Sequence, residues 1–198
     1  MPLPQHLHKR LSQRRQRQLL RLLQQPQRPN LKRKPRAGDI VFAHTKGTLG
    51  RLIRLGERLR WQERASRWNH ACVVSRVSKG EVYVIEATLK GVVESPLSKY
   101  PDHAVIAPPA GVDVKRLVEF QKAQLGSSYG VLSILCIATD LVTGNWFPSL
   151  RRDGSWICSA LTAEGLRAAG WFTPASNFGD IYTPTPAQVW VALTGHDC

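Results

Sequence analysis

The chain reads as an α+β domain, and three observations lead there. Short apolar strands come first and helices follow, the strands are joined by hairpin-type turns, and neither GxGxxG nor GxxxxGK[ST] occurs. An antiparallel sheet packed against helices fits that order, and a doubly wound parallel sheet does not. With 198 residues, 42% of them hydrophobic, the chain is long enough to bury a sizeable core.

The folded unit is expected to open at Ala37. Gly38-Asp39 is a turn and Ile40–Ala43 a short strand. Leu49, Leu52, Ile53 and Leu59 then recur at helical spacing with arginines between them, which predicts an amphipathic helix interrupted at Gly56. HACVVSRV and EVYVIEAT are two strands around Ser78-Lys79-Gly80, a hairpin signal, and GVVESPL and AVIAPP are a third and fourth. Residues 112–125 predict a helix with Val114, Leu117, Val118 and Leu125 inward, ended by Gly126. A helix around 130–143, a Pro/Gly/Arg loop and a helix capped by Ser155 and closed by Gly170 complete the pattern.

Charge divides the chain in two. Residues 1–36 hold eleven of the 28 Lys/Arg and none of the 14 Asp/Glu, so the rest has 17 basic against 14 acidic residues. The domain reading is therefore a basic, Pro/Gln-rich arm over 1–36, helical in part or disordered, and a folded domain over 37–198. Leu7, Leu11, Leu19, Leu22 and Leu23 share a helical face, and Pro26, Pro29 and Pro35 end any helix there. Such an arm fits an anionic surface (membrane, nucleic acid or cell wall), although it lacks the interleaved aromatics of single-strand binding.

The longest apolar run, Val131–Val142, falls short of the ~18–20 residues that span a bilayer. The amino terminus is basic but has no apolar stretch after it, so no export signal is read and the cytoplasm is the default compartment. Four widely spaced cysteines (Cys72, Cys136, Cys158, Cys198) resemble no secreted disulfide framework. No CxxC or HxxxH occurs, so neither a metal nor another cofactor is expected.

Cys158 stands in the first turn of its helix, where unpaired backbone N–H groups and the positive end of the helix dipole favour a thiolate. A nucleophile there needs a base. His70, at the start of an apolar strand, is the best placed of the six histidines. A hairpin turning about Ser78 sets Glu86 directly across from His70, and a three-residue loop with Gly80 left-handed sets it diagonally. Both registers put the carboxylate on the same face as the imidazole, where it would fix the tautomer. A register shifted by one residue would separate them.

These stretches together resemble the papain-like cysteine hydrolases of the NlpC-type cell-wall peptidase superfamily, in the circularly permuted YiiX-like branch, where the histidine strand precedes the cysteine helix. The resemblance covers residues 37–190. It rests on Gly38-Asp39-Ile40, Trp68-Asn69-His70-Ala71-Cys72, Glu86-Ala87, Gly126-Ser127-Ser128-Tyr129, Cys158-Ser159-Ala160-Leu161 and Thr185-Pro186-Ala187-Gln188-Val189. Ala160 stands where an acidic residue is usual, and Ala71-Cys72 where Val-Gly is common. The likeness implies Cys158 as nucleophile, His70 as general base and Glu86 as its orienter, with Tyr129, Trp68 and Ser159 as substrate-binding residues. It implies hydrolysis of an amide, in a peptide, isopeptide or peptidoglycan stem peptide, through an acyl-enzyme. Two alternatives stand beside it: a lipid-acting thiol acyl hydrolase or transferase of the same fold, and a non-enzymatic basic binding protein.

Overall fold

The structure, a computed structural model, describes residues 33–46, 67–130, 155–171 and 184–195. The basic arm before residue 33, the expected helices at 49–59 and 130–143, Cys136 and Cys198 lie outside the described residues. Five strands form one antiparallel sheet: β1 (Ile40–Ala43), β2 (His70–Ser78), β3 (Glu81–Thr88), β4 (Gly91–Pro96) and β5 (His103–Ile106), in the order β4-β3-β2-β1-β5. A 3₁₀ turn, Leu97–Lys99, follows β4. Among the described residues three helices follow, α1 (Val114–Ala123), α2 (Cys158–Ala168) and α3 (Pro186–Thr194), so the fold is α+β as the sequence predicts.

Alternation along the strands divides the core between the two faces. Ile40, Phe42, Ala71, Val73, Ala104 and Ile106 meet Leu117, Leu166, Val189, Trp190 and Leu193 of the helices. Val41, Ala43, Cys72, Val74, Val84 and Val105 point the other way and are covered by Leu97 and Tyr100 from the 3₁₀ turn and the residue after it. Pro96 ends β4, and the turn carries the chain back over that face.

The β2–β3 hairpin differs from both expected registers at its turn. It is a two-residue turn, with Lys79 and Gly80 at φ of 51° and 81° and Ser78 paired with Glu81. Positive φ at both central positions is the twist-matched hairpin turn, and Gly80 adopts it without the steric cost a Cβ brings. Carried along unchanged, that register would put Glu86 on the face opposite His70. Ser75 is an extra residue between the pairs Val74–Val84 and Arg76–Tyr83, and this bulge shifts β2 by one. Beyond it Val73 pairs with Ile85, which sets Glu86 diagonal to His70 on one face. The bulged hydroxyl bonds the Tyr83 carbonyl at 3.1 Å and Glu94 Oε1 at 2.6 Å.

Two helix expectations are corrected. In α1 the buried positions are Leu117 and Gln121, whereas Val114 and Leu125 are 37% and 44% exposed. The inward stripe is narrow because Gln121 takes a core position and donates from Nε2 to the Leu161 carbonyl at 2.9 Å, tying α1 to α2. Ser155 does not cap α2: Ser155-Trp156 pairs in parallel with Ser128-Tyr129, so the backbone stays extended and Ile157 becomes the N-cap. Gly170, at φ 90°, follows the end of α2 as expected. Thr185 and Gln188 form a reciprocal capping box at the start of α3. No helix among the described residues is long and apolar enough to cross a membrane.

Candidate active site

Three elements meet at the beginning of β2. Helix α2 packs on β2 and β3 and delivers Cys158 as its first residue. The register pairs of β2 with β3 end at Val73–Ile85, and nearer the strand start the Ala71 N–H turns to the Cys158 sulfur. The Ser159 N–H is a second donor to that sulfur, and no side chain caps the helix start. The Ser159 amide belongs to the helix's first turn, whose N–H groups favour negative charge, and the Ala71 amide comes from β2.

His70 stands between Cys158 and Glu86. Its Nε2 lies 2.7 Å from Glu86 Oε2, and its side chain also hydrogen-bonds Cys158. An ionised Glu86 requires the proton on Nε2, which leaves the Nδ1 lone pair for the thiol. Burial opposes charge on His70, but the Cys158 and Glu86 anions outweigh it and raise its pKa from 6.5 to about 9. Burial likewise pushes the Cys158 thiol up. The His70 charge and hydrogen bond, with the Ala71 and Ser159 amides, bring it net below the ordinary thiol range. The arrangement favours a thiolate–imidazolium pair.

Glu86 is fully buried and accepts from four donors: His70 and Tyr100 on Oε2, Ser95 and Lys99 on Oε1. Burial raises its pKa, but the His70 hydrogen bond and charge, then Lys99 and Ser95, take it from 4.5 down to about 2. The Tyr100 ring also lies against the imidazole, 5.3 Å between centroids at 40°. Burial and the Glu86 charge raise the Tyr100 pKa, so its hydroxyl stays a donor. Cys72, on the same face of the sheet, is buried. Burial, Glu86 and Cys158 all raise its pKa, and it stays a thiol.

The structure thus brings Cys158, His70 and Glu86 into one hydrogen-bonded line. Tyr129 packs beside Ile85, Ala87, Val92 and Leu161, where burial and the charge of Cys158 raise its pKa. Ser159 is buried and reaches the sulfur through its backbone rather than its hydroxyl. Trp68 is not at the site. It is 4% exposed and stacks in the helix-side core, 5.7 Å from Trp190, with the Arg67 guanidinium 4.8 Å from its ring. Its neighbour Asn69 binds Thr45 through both ends of its amide: Oδ1 accepts from the Thr45 N–H at 2.7 Å and Nδ2 donates to the Thr45 carbonyl at 2.9 Å. Sequence reasoning missed Ser95, Lys99 and Tyr100. Their signal was the SPLSKY stretch, where polar groups flank the proline that ends a strand.

Comparison with known proteins adds a likeness to solved structures. No family model matches the chain, and no curated protein does. The crystal structure of the metalloprotein yiiX from Escherichia coli O157:H7 is similar over 70% of this chain and 68% of that one, with a TM-score of 0.49 and 19% identity. Among the described residues of this chain, no group of three or more His, Cys, Asp or Glu could hold a metal ion.

Proposed function

We propose that this chain is a thiol hydrolase that cleaves an amide through an acyl-enzyme on Cys158, with His70 as base and Glu86 as its orienter. The observation that carries the reading is the buried line of hydrogen bonds from Cys158 through His70 to Glu86. His70 Nδ1 takes the thiol proton, and the sulfur attacks the carbonyl carbon. The oxygen that becomes negative is met by the Cys158 N–H at the uncapped helix start, with Tyr129 beside it as a substrate contact. The imidazolium then protonates the leaving amine, and the carbon–nitrogen bond breaks. In the second half His70 takes a proton from water, the hydroxide attacks the acyl carbon, and the thiol departs with that proton. The hydrolase unit is residues 37–198, and the basic arm docks it on an anionic surface.

The first experiment is alkylation by iodoacetamide against pH, read by mass spectrometry so that all four cysteines report together. Cys158 is expected to react fastest, with an apparent pKa well below the ~8.5 of a free thiol. His70→Ala is expected to slow it by roughly 100-fold near neutral pH. Equal reactivity of the cysteines, indifferent to His70, overturns the reading. Substrate follows from a panel of stem peptides, isopeptides and acyl lipids assayed side by side. Cys158→Ala is expected to lower turnover of the true substrate by about 10⁴ or more. Cleavage of acyl lipids alone would move the chemistry to esters or amides of fatty acids. Salt-sensitive nucleic-acid binding with no turnover would leave a basic binding protein.

A further inference from the structure

Glu86 has no exposed surface, and its two oxygens are held by different kinds of donor. His70 and Tyr100 take Oε2, while Ser95 and Lys99 take Oε1. The Lys99 ammonium also reaches Ser95 Oγ at 3.1 Å and lies 4.9 Å from the centre of the Tyr100 ring. Its side chain is 38% exposed, yet its charged end is spent on a carboxylate with no exposure. A lysine left to solvent would carry that charge outward.

The charges explain the direction. When the Cys158 proton passes to His70, the site holds two anions, the thiolate and Glu86, and one new cation, the imidazolium. A buried cluster with one unbalanced negative charge is costly and takes up a proton instead. Among the described residues, the other titratable groups facing it do not supply the missing charge. Cys72 on β2 and Tyr100 after the turn both have raised pKa values and stay neutral. Tyr129 on β6 (Ser128–Tyr129) does so too. Ser95 on β4 has no charge to give. Lys99 is the cation on the far oxygen of Glu86, and with it the cluster of Cys158, His70, Glu86 and Lys99 sums to zero.

We propose that Lys99 is a positioning residue of the active site: the turn Leu97–Lys99 holds its ammonium on Glu86 as the counter-charge that lets Cys158 ionise beside an ionised Glu86. The inference deepens the hydrolase reading and rests on it for the identity of the nucleophile. Tyr100 and Ser95 already satisfy both oxygens of Glu86 together with His70, so a purely structural role would not need a permanent charge here.

The test is the pH profile of Cys158 alkylation by iodoacetamide in the full-length wild type, Lys99→Met, Lys99→Arg, His70→Ala and the double variant Glu86→Gln/Lys99→Met. Removing a cation favours every protonated form, so Lys99→Met is expected to move both limbs of the profile to higher pH. A shift of about one unit makes alkylation near pH 6 about tenfold slower. Lys99→Arg is expected to keep the wild-type profile. The double variant removes one charge of each sign and is expected to return the acid limb toward wild type. It leaves neither partner of the buried ion pair alone, so it keeps the test alive if Lys99→Met fails to fold. A Lys99→Met profile that overlays the wild type, an equal shift in Lys99→Arg, or a double variant that stays as far displaced as the single one overturns the role of Lys99. His70→Ala distinguishes the two failures: if it leaves Cys158 reactivity unchanged, the hydrolase reading falls and takes this inference with it.

Discussion

The two faces of the sheet are made by alternate residues of the same strands, and they are covered in very different ways. On one side Ile40, Phe42, Ala71 and Val73 pack against three helices and Trp68. On the other, Val41, Cys72, Val74 and Val84 lie under Leu97 and Tyr100, and the same face carries His70 and Glu86. Apolar packing is non-directional, so the helix side can be built from many interchangeable contacts. A buried carboxylate must instead be met by donors at defined angles, and a short turn with the residue after it supplies two of its four. Apolar packing against helices is therefore concentrated on one side and the buried polar pair His70–Glu86 on the other, although a single residue step separates them along β2.

That division can be tested from its strongest consequence downward. Phe42 is fully buried and meets Trp190 edge-on at 5.2 Å. Phe42→Ala is expected to cost about 3–5 kcal/mol in urea unfolding. The rate of Cys158 alkylation per folded molecule is expected to stay at the wild-type value. A matched loss of reactivity would show that the two faces are not separable.

Glu86 gives the opposite result. Its pKa is lowered from 4.5 to about 2, so its contribution is present above 4.5 and lost as pH falls through 2. The shift corresponds to about 3 kcal/mol of pH-dependent stability. Glu86→Gln is expected to flatten that acid slope in unfolding free energy measured against pH. The alkaline limb of Cys158 alkylation is expected to fall to lower pH as His70 loses the carboxylate. An unchanged acid slope would mean that Glu86 does not hold its charge in the fold.

Ser75→Ala sharpens the boundary between the faces. It removes the hydroxyl bonds to the Tyr83 carbonyl and Glu94, for an expected loss of about 1 kcal/mol by thermal or urea unfolding. The alanine keeps the extra residue and hence the register, so the dependence of Cys158 alkylation on His70 is expected to persist. Loss of that dependence would show that the hydroxyl bonds, and not the residue count alone, hold the bulge.

Much of the site was legible before the structure, for local reasons. Alternation in HACVV and EVYVIEAT places His70, Cys72 and Glu86 on one face once a register is chosen, and the periodicity after Cys158 places that residue at a helix start. The register is reached by a different route. The diagonal relation of His70 and Glu86 was one of two foreseen, but a three-residue loop was the expected means. The two-residue turn and the Ser75 bulge produce it instead, because local twist selects the turn and the burial of both faces then demands a one-residue correction. Trp68, which the resemblance implied as a substrate contact, is placed by the structure in the core with Trp190. Adjacency in sequence says little about direction where a strand begins.

The sequence by itself determined the α+β order, the sites of the turns, and which chemically capable side chains share a face, because those follow from periods of two and 3.6 residues and from Gly and Pro. Tertiary structure alone decided that the Ala71 amide turns to the Cys158 sulfur, that Ser155 pairs with Ser128 instead of capping a helix, and that Lys99 and Tyr100 fold back onto Glu86. Those are contacts between segments distant in the chain or turned by a single φ/ψ choice. They arise when apolar faces are buried together and each buried polar group must find a partner within reach.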